Sequence, residues 1–124
     1  MYALSTRSEP GLTALRDATW IAGCERCRSH LLSMCADAGF DPRIGYSSDD
    51  MVVMQALVAA GLGVATQTGL ALRAHRIEGV VATELPGFER HIYAATYGEP
   101  PDPPATAALL AALAEAAARA SSSS

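Results

Sequence analysis

The chain has no lysine. Its 9 basic residues are all arginine, and 13 acidic residues bring the formal net charge to −4. Binding a phosphate backbone depends on neutralising its charge and releasing counterions, which calls for a basic stripe. The nearest thing to one is Arg73, His75 and Arg76, at the expected C-terminus of a helix, where cations complement the negative end of the dipole. A nucleic-acid surface is therefore not expected. No apolar run approaches the roughly 20 residues that span a bilayer. Nor does a basic segment lead into a short apolar one, as a secretory signal would require. The expected setting is cytoplasmic, without a membrane partner. P-loop, G-x-S-x-G and H-E-x-x-H patterns are also lacking, so no enzyme class and no cofactor is indicated. Asp49 and Asp50 are adjacent, which on a helix points them about 100° apart. They read as helix-capping residues, not as a facing acid/base pair.

What is present is one domain's worth of chain: 124 residues, 50% of them hydrophobic. Tyr2–Thr6 alternates weakly, as a short strand does, and Ser8, Glu9, Pro10 and Gly11 break it. Leu12–Arg16 suits one helical turn, and Thr19–Ala22 a buried strand ending at Gly23. From Arg26 to Ala38, Cys27, Leu31, Met34, Cys35 and Ala38 recur at helical spacing, and Gly39 closes the helix. Arg43–Tyr46 is a second strand. Ser47, Ser48, Asp49 and Asp50 then cap a helix carrying Met51, Met54, Leu57 and Val58 and ending at Gly61. Leu62–Ala65 and Gly79–Thr83 are expected strands on either side of a short helix, Gly69–Ala74. Arg90–Tyr97 alternates as a further strand. After a proline cluster, Ala105–Arg119 forms an alanine-rich helix anchored by Leu109, Leu110 and Leu113, and Ser121–Ser124 a disordered tail.

Strands that alternate with short helices imply an α/β domain with a mostly parallel sheet. Ligands of such sheets sit beyond the strand C-termini, where helix N-termini present free N–H groups. Three loops meet that description: Ala22–Glu25, Ser47–Asp50 and Thr66–Gly69.

Four segments resemble, in order, those of the effector-binding domain of LysR-type transcriptional regulators. Leu15-Arg16-Asp17-Ala18-Thr19-Trp20-Ile21 is similar to the L-x-D-x-x-W-I segment that opens the second lobe. Ala38-Gly39-Phe40-Asp41-Pro42-Arg43-Ile44 is similar to a helix-to-strand turn of that lobe. Leu57-Val58-Ala59-Ala60-Gly61-Leu62-Gly63-Val64-Ala65 resembles the family's V-A-A-G-L-G-V-A segment, and Arg90-His91-Ile92-Tyr93-Ala94-Ala95 is similar to the strand returning to the first lobe. The resemblance spans Leu12 to about Ala118. It implies a type II periplasmic-binding-protein-like lobe with hinge strands and a C-terminal helix. On that reading residues 1–11 are a hinge strand and linker, 12–89 the second lobe, 90–119 the return strand and closing helix of the first lobe, and 120–124 a tail. The winged helix-turn-helix through which such regulators contact DNA is not expected in this chain.

The resemblance further implies sensing of a small-molecule effector, homodimers, and binding without bond-breaking. Candidate ligand contacts are Gly23 and Cys24 in the first loop, Ser47 and Ser48 in the second, and Thr66 and Gln67 in the third. Backbone N–H groups at Ser48–Asp50 favour a carboxylate, while the charges of Asp49 and Asp50 oppose it. Capping is the other reading of the two serines. The family often carries Pro where Thr68 stands.

Competing readings rest on single features. Cys24-Glu25-Arg26-Cys27 is the C-x-x-C of thioredoxin-like redox modules, in which a helix N-terminus lowers a thiol pKa. With His30 and Cys35 it also suggests metal, although tetrahedral zinc usually takes two separated ligand pairs and His75 and His91 stand alone. Cys27 and Cys35 equally suit the apolar face of a helix. Ala59–Ala74 has the small residues and glycine turn of a helix-turn-helix, but apolar residues where base-reading side chains belong. His91 and Trp20 read as structural residues.

Overall fold

The computed structural model describes residues 1–9 and 11–122. Pro10, expected in the break after the first strand, and Ser123 and Ser124 of the expected tail lie outside them. The chain divides into two units, Met1–Arg90 and His91–Ser124.

In the first unit β1 (Tyr2–Ser5) precedes a 3-10 turn at Leu12–Leu15. There follow β2 (Thr19–Ala22), α1 (Glu25–Asp37), β3 (Arg43–Ser47), α2 (Met51–Ala59), β4 (Ala65–Gln67), α3 (Gly69–Ala74) and β5 (Val81–Glu84). β2 and β3 pair in parallel, with a bulge between Trp20 and Ile21. β1 lies between β4 and β5 and is antiparallel to both. A parallel bridge from Trp20 to Val64 joins the two sheets, held by Ile21 N–H to Val64 O and Val64 N–H to Thr19 O, both 2.8 Å. Four strands thus run one way and β1 runs against them. The parallel sheet expected from sequence holds for the βα units. It fails at the first strand, which pairs with β4 and β5 by long-range contacts that local patterning does not encode.

Side chains alternate across a strand, so neighbouring strand residues face opposite sides. Ala3, Trp20 and Val64 join Leu31, Met34 and Cys35 of α1 in one buried cluster. Their neighbours Leu4, Ile21 and Ala65 join Met54 and Val58 of α2 in another. The sheet is therefore covered by α1 on one face and α2 on the other. Trp20 is fully buried, 6.4 Å from the ring of Phe40, and is a core residue as expected. Gly63 makes the Trp20–Val64 junction possible, since a Cβ there would lie 2.8 Å from Thr19 O.

Several boundaries differ from expectation. The strand placed at Leu62–Ala65 forms at Ala65–Gln67, because Leu62 N–H first closes the exit of α2 on Leu57 O at 3.0 Å. The last strand of this unit begins at Val81, two residues later than expected. With β4 standing between α2 and α3, Ala59–Ala74 is no helix-turn-helix.

The expected strand at Arg90–Tyr97 is not formed; residues 91–97, in the second unit, are irregular and exposed. A strand requires a neighbouring strand to complete its ladder, and alternation in sequence cannot supply one. The closing helix, α4, runs from Pro104 to Ser122 and buries none of its residues. It continues through Ala120–Ser122, where a disordered tail was expected. Leu109 and Leu113 are exposed on it.

Candidate functional site

β2 and β4 end on the same side of the sheet, and the helices that follow them begin there. Gly23 lets the backbone pass close against α1, since a Cβ there would lie 2.9 Å from that of Cys27. Cys24 is the N-cap of α1, and its Sγ accepts a hydrogen bond from Cys27 N–H at 3.4 Å. Asp50 caps α2, its Oδ1 accepting from Val52 N–H at 2.8 Å and Val53 N–H at 3.3 Å. Thr68 caps α3 through Ala71 N–H at 3.3 Å, so the residue standing at the family's frequent proline has a local structural task.

Between these three helix starts lies a cavity of about 160 Å³. Gly23, Cys24, Cys27, His30 and Leu31 line it from the β2–α1 side, Asp49, Met51 and Met54 from α2, and Thr66, Gln67, Thr68 and Ala71 from the β4–α3 side, with Met1, Ile21 and Arg90 completing it. Four of the six residues expected from sequence are therefore brought together: Gly23, Cys24, Thr66 and Gln67. Ser47 and Ser48 do not line the cavity. Ser48 donates its N–H to Ala22 O at 2.9 Å and accepts from Asp50 N–H at 3.2 Å, which turns it toward the chain itself. Asp49 and Met51 take the place of the serines on that loop.

Gln67 is buried, and its amide is engaged inside the protein. Oε1 accepts from Gln55 Nε2 at 2.9 Å, and Nε2 donates to Met51 O at 3.2 Å. It holds the cavity wall in shape.

His30, Arg90 and Asp49 were not singled out as ligand contacts in the sequence reading. His30 follows Cys27 by three positions and so shares its helix face, a signal that was legible. Arg90 reaches the cavity from far along the chain, and no local pattern announces it. Burial, and next the Arg90 charge, hold the imidazole pKa of His30 below its ordinary value. The Cys24 thiol lies below the usual range because of its contact with Cys27 and the hydrogen bond from Cys27 N–H. The same thiol contact, followed by burial, raises Cys27. The cavity thus carries one guanidinium, an imidazole biased to neutrality, two thiols and the Asp49 carboxylate.

Among the described residues no group of three or more His, Cys, Asp and Glu side chains is arranged to hold a metal ion. None of the described helices is long and apolar enough to cross a membrane. Arg73 lies in the last turn of α3, and Arg76 donates to Val80 O at 3.2 Å, so the expected small basic cluster is spent on helix and loop ends.

Similarity to known proteins agrees with this architecture. Among curated proteins no sequence matches the chain. Among solved structures, the BenM effector binding domain with its effector benzoate superposes with a TM-score of 0.57 at 17% identity, over 68% of this chain and 44% of that one. Full-length CbnR in complex with its target DNA gives 0.57 at 18%, over 70% and 34%. HinK, a LysR family transcriptional regulator from Pseudomonas aeruginosa, gives 0.55 at 19%, over 71% and 34%. The chain spans less than half the length of these structures, and the likeness is one of fold. That fold does not support the thioredoxin-like alternative. The sequence profile of the LysR substrate binding domain matches residues 2–118, nearly the whole chain, and the protein belongs to that family.

Proposed function

We propose that this chain is the ligand-sensing part of a LysR-type transcriptional regulator, and that its cavity takes a small carboxylate. One observation carries the reading: the starts of α1, α2 and α3 converge with Arg90 on a single cavity beyond the ends of β2 and β4. Helix N-termini carry partial positive charge even where side chains cap some of their N–H groups, as Cys24, Asp50 and Thr68 do here, and a guanidinium pairs well with a carboxylate. Met51, Met54, Leu31 and Ile21 supply apolar wall for the remainder of the ligand. A cavity near 150 Å³ holds a benzene ring, so one ring or a short aliphatic chain matches the 160 Å³ here. The benzoate bound by BenM is of that size and charge. Gly23, Cys24, Thr66 and Gln67 shape the site, and Arg90 holds the charge.

The role is binding, with no bond broken. A ligand preferring one arrangement of the domain shifts its population, and an attached DNA-binding domain reads out the change. In this reading the complete regulator is a cytoplasmic homodimer that meets DNA through a separate winged helix-turn-helix domain.

The test is isothermal titration of the chain with benzoate, short aliphatic monocarboxylates and benzamide. The reading expects saturable carboxylate binding, no binding of the neutral amide, and a loss of about tenfold or more in Arg90→Ala, the effect of one charge-assisted contact. Equal affinity for benzoate and benzamide, or no change in Arg90→Ala, counts against it.

A further inference from the structure

Cys24 and Cys27 occupy the wall of the cavity with their sulfurs 2.9 Å apart. Both are free thiols, Cys24 half-buried and Cys27 exposed, whereas Cys35 is buried in the core. This pair is more than a helix cap. A cap needs one acceptor, and Cys24 Sγ already fills that position toward Cys27 N–H. The second sulfur lies against the first, and among the described residues no other hydrogen bond of the Cys27 side chain is seen.

We propose that Cys24 and Cys27 form a reversible disulfide, making the rim of the cavity a modification site for low-molecular-weight disulfides. The absence of a third ligand among the described residues favours a sulfur–sulfur bond over a shared metal ion. Thiolates about 2.3 Å from one metal stand roughly 3.8 Å apart in a tetrahedral site and about 4.6 Å apart in a linear one. A disulfide requires about 2.05 Å. The 2.9 Å spacing lies about midway between the disulfide and the tetrahedral site, so the lack of a third ligand among the described residues decides.

The two thiols are also unequal, which sets the order of exchange. Cys24, at the N-terminus of the 13-residue α1, has its thiol pKa lowered by its contact with Cys27 and the hydrogen bond from Cys27 N–H. Cys27 is raised. Cys24 is therefore the attacking thiolate. Its sulfur attacks one sulfur of the small disulfide, whose S–S bond breaks to release one thiolate and leave a mixed disulfide on Cys24. Cys27 then loses its proton and attacks Cys24 Sγ, expelling the second small thiolate. In sum, two protein thiols and one disulfide give one protein disulfide and two small thiols. The protein loses two electrons, and its two protons end on the released thiols. The reaction modifies the chain stoichiometrically and makes it no oxidoreductase, and it needs no carboxylate in the cavity.

The experiment equilibrates the chain with glutathione disulfide, quenches by alkylation and locates bonds by mass spectrometry, with circular dichroism confirming that the oxidised chain stays folded. The expected result is an intramolecular Cys24–Cys27 disulfide that excess reduced glutathione reverses, with Cys35 unmodified. Cys27→Ser should accumulate the mixed disulfide on Cys24. Cys24→Ser should react more slowly, since the remaining thiol is raised by burial and does not stand at the cap position of α1. Two separate mixed disulfides in the unaltered chain, a bond involving Cys35, trapping on Cys27 as fast as on Cys24, or thiols that react only after treatment with a metal chelator would each overturn the proposal.

Discussion

The side-chain amide of Gln55 donates to Gln67 Oε1 at 2.9 Å, between two residues that are respectively 0% and 5% exposed. The same Nε2 donates to His75 O at 2.9 Å, and Oε1 accepts from Ile77 N–H at 3.0 Å. One side chain of α2 thereby satisfies the end of β4 and the segment leading to β5. Gln55→Leu keeps the volume but strands an acceptor on Gln67, a carbonyl and an N–H. Each unsatisfied buried group costs about 1–3 kcal/mol. The expected loss of unfolding free energy is about 3–5 kcal/mol, read from urea denaturation. A loss below about 1 kcal/mol would show that water already serves these groups.

Gly63 tests a different part of the frame. An added Cβ would meet Thr19 O at 2.8 Å and Ile21 Cγ1 at 3.1 Å, at the junction where Val64 bonds to β2. The nearest obstacle is backbone and cannot rotate away. Gly63→Ala is expected to lower stability by about 1–3 kcal/mol, the usual cost of overpacking. Gly61→Ala meets no atom within 4 Å but holds φ at +76°, so its cost comes from conformation alone and is about 1 kcal/mol. Thermal denaturation of the two variants side by side separates steric from conformational demand.

Cys35 predicts how stability changes in alkali. Burial, then the Asp41 charge, pushes its thiol up to about 11 from an ordinary 9.0. Below pH 9 the thiol is protonated in both the folded and the unfolded chain, and stability is unaffected. Between 9 and about 11 only the unfolded chain releases the proton, so stability falls as pH rises. The fall is on the order of 2 kcal/mol. Under a reducing agent, urea midpoints measured from pH 8 to 11 are expected to drop more steeply in the unaltered chain than in Cys35→Ala. Parallel slopes would mean that Cys35 is solvated.

These variants also mark how far the sequence could be read. Helix positions were legible because caps and apolar spacing are local: Cys24 and Asp50 stand where α1 and α2 begin. The family resemblance drew on Trp20 and Gly63, which meet at the β2–Val64 junction, and on Gly61, which closes α2 at a positive φ. The reversed direction of β1 was not legible, because it depends on pairing with strands some sixty and eighty residues away. The alternation at 91–97 suggested a strand, but no ladder forms there. In the site, reading helix starts located Gly23, Cys24, Thr66 and Gln67 but also favoured Ser47 and Ser48. Serine at a helix start satisfies backbone as readily as it faces a ligand, and Ser48 does the former. Arg90 stayed hidden because a cation arriving from a distant loop leaves no mark beside the residues it joins.

Asp49 provides the sharpest test of the charge balance in the cavity. It lines the cavity opposite the role given to Arg90, whereas its neighbour Asp50 directs its carboxylate to Val52 and Val53 N–H. The Asp49 carboxylate repels an anionic ligand, and because the residue is exposed water screens the pair to about 1 kcal/mol. Asp49→Asn is therefore expected to tighten benzoate binding roughly fivefold, with the gain shrinking as salt is added. Stability should hardly change, since no cap is lost. Asp50→Asn keeps a side chain able to cap α2 and should leave affinity nearly unaltered, while Asp50→Ala lowers stability by about 1 kcal/mol. If Asp49→Asn weakens binding instead, the aspartate is a ligand contact in its own right. The cavity would then select a ligand that donates hydrogen bonds or carries positive charge, and the carboxylate assignment would have to be withdrawn.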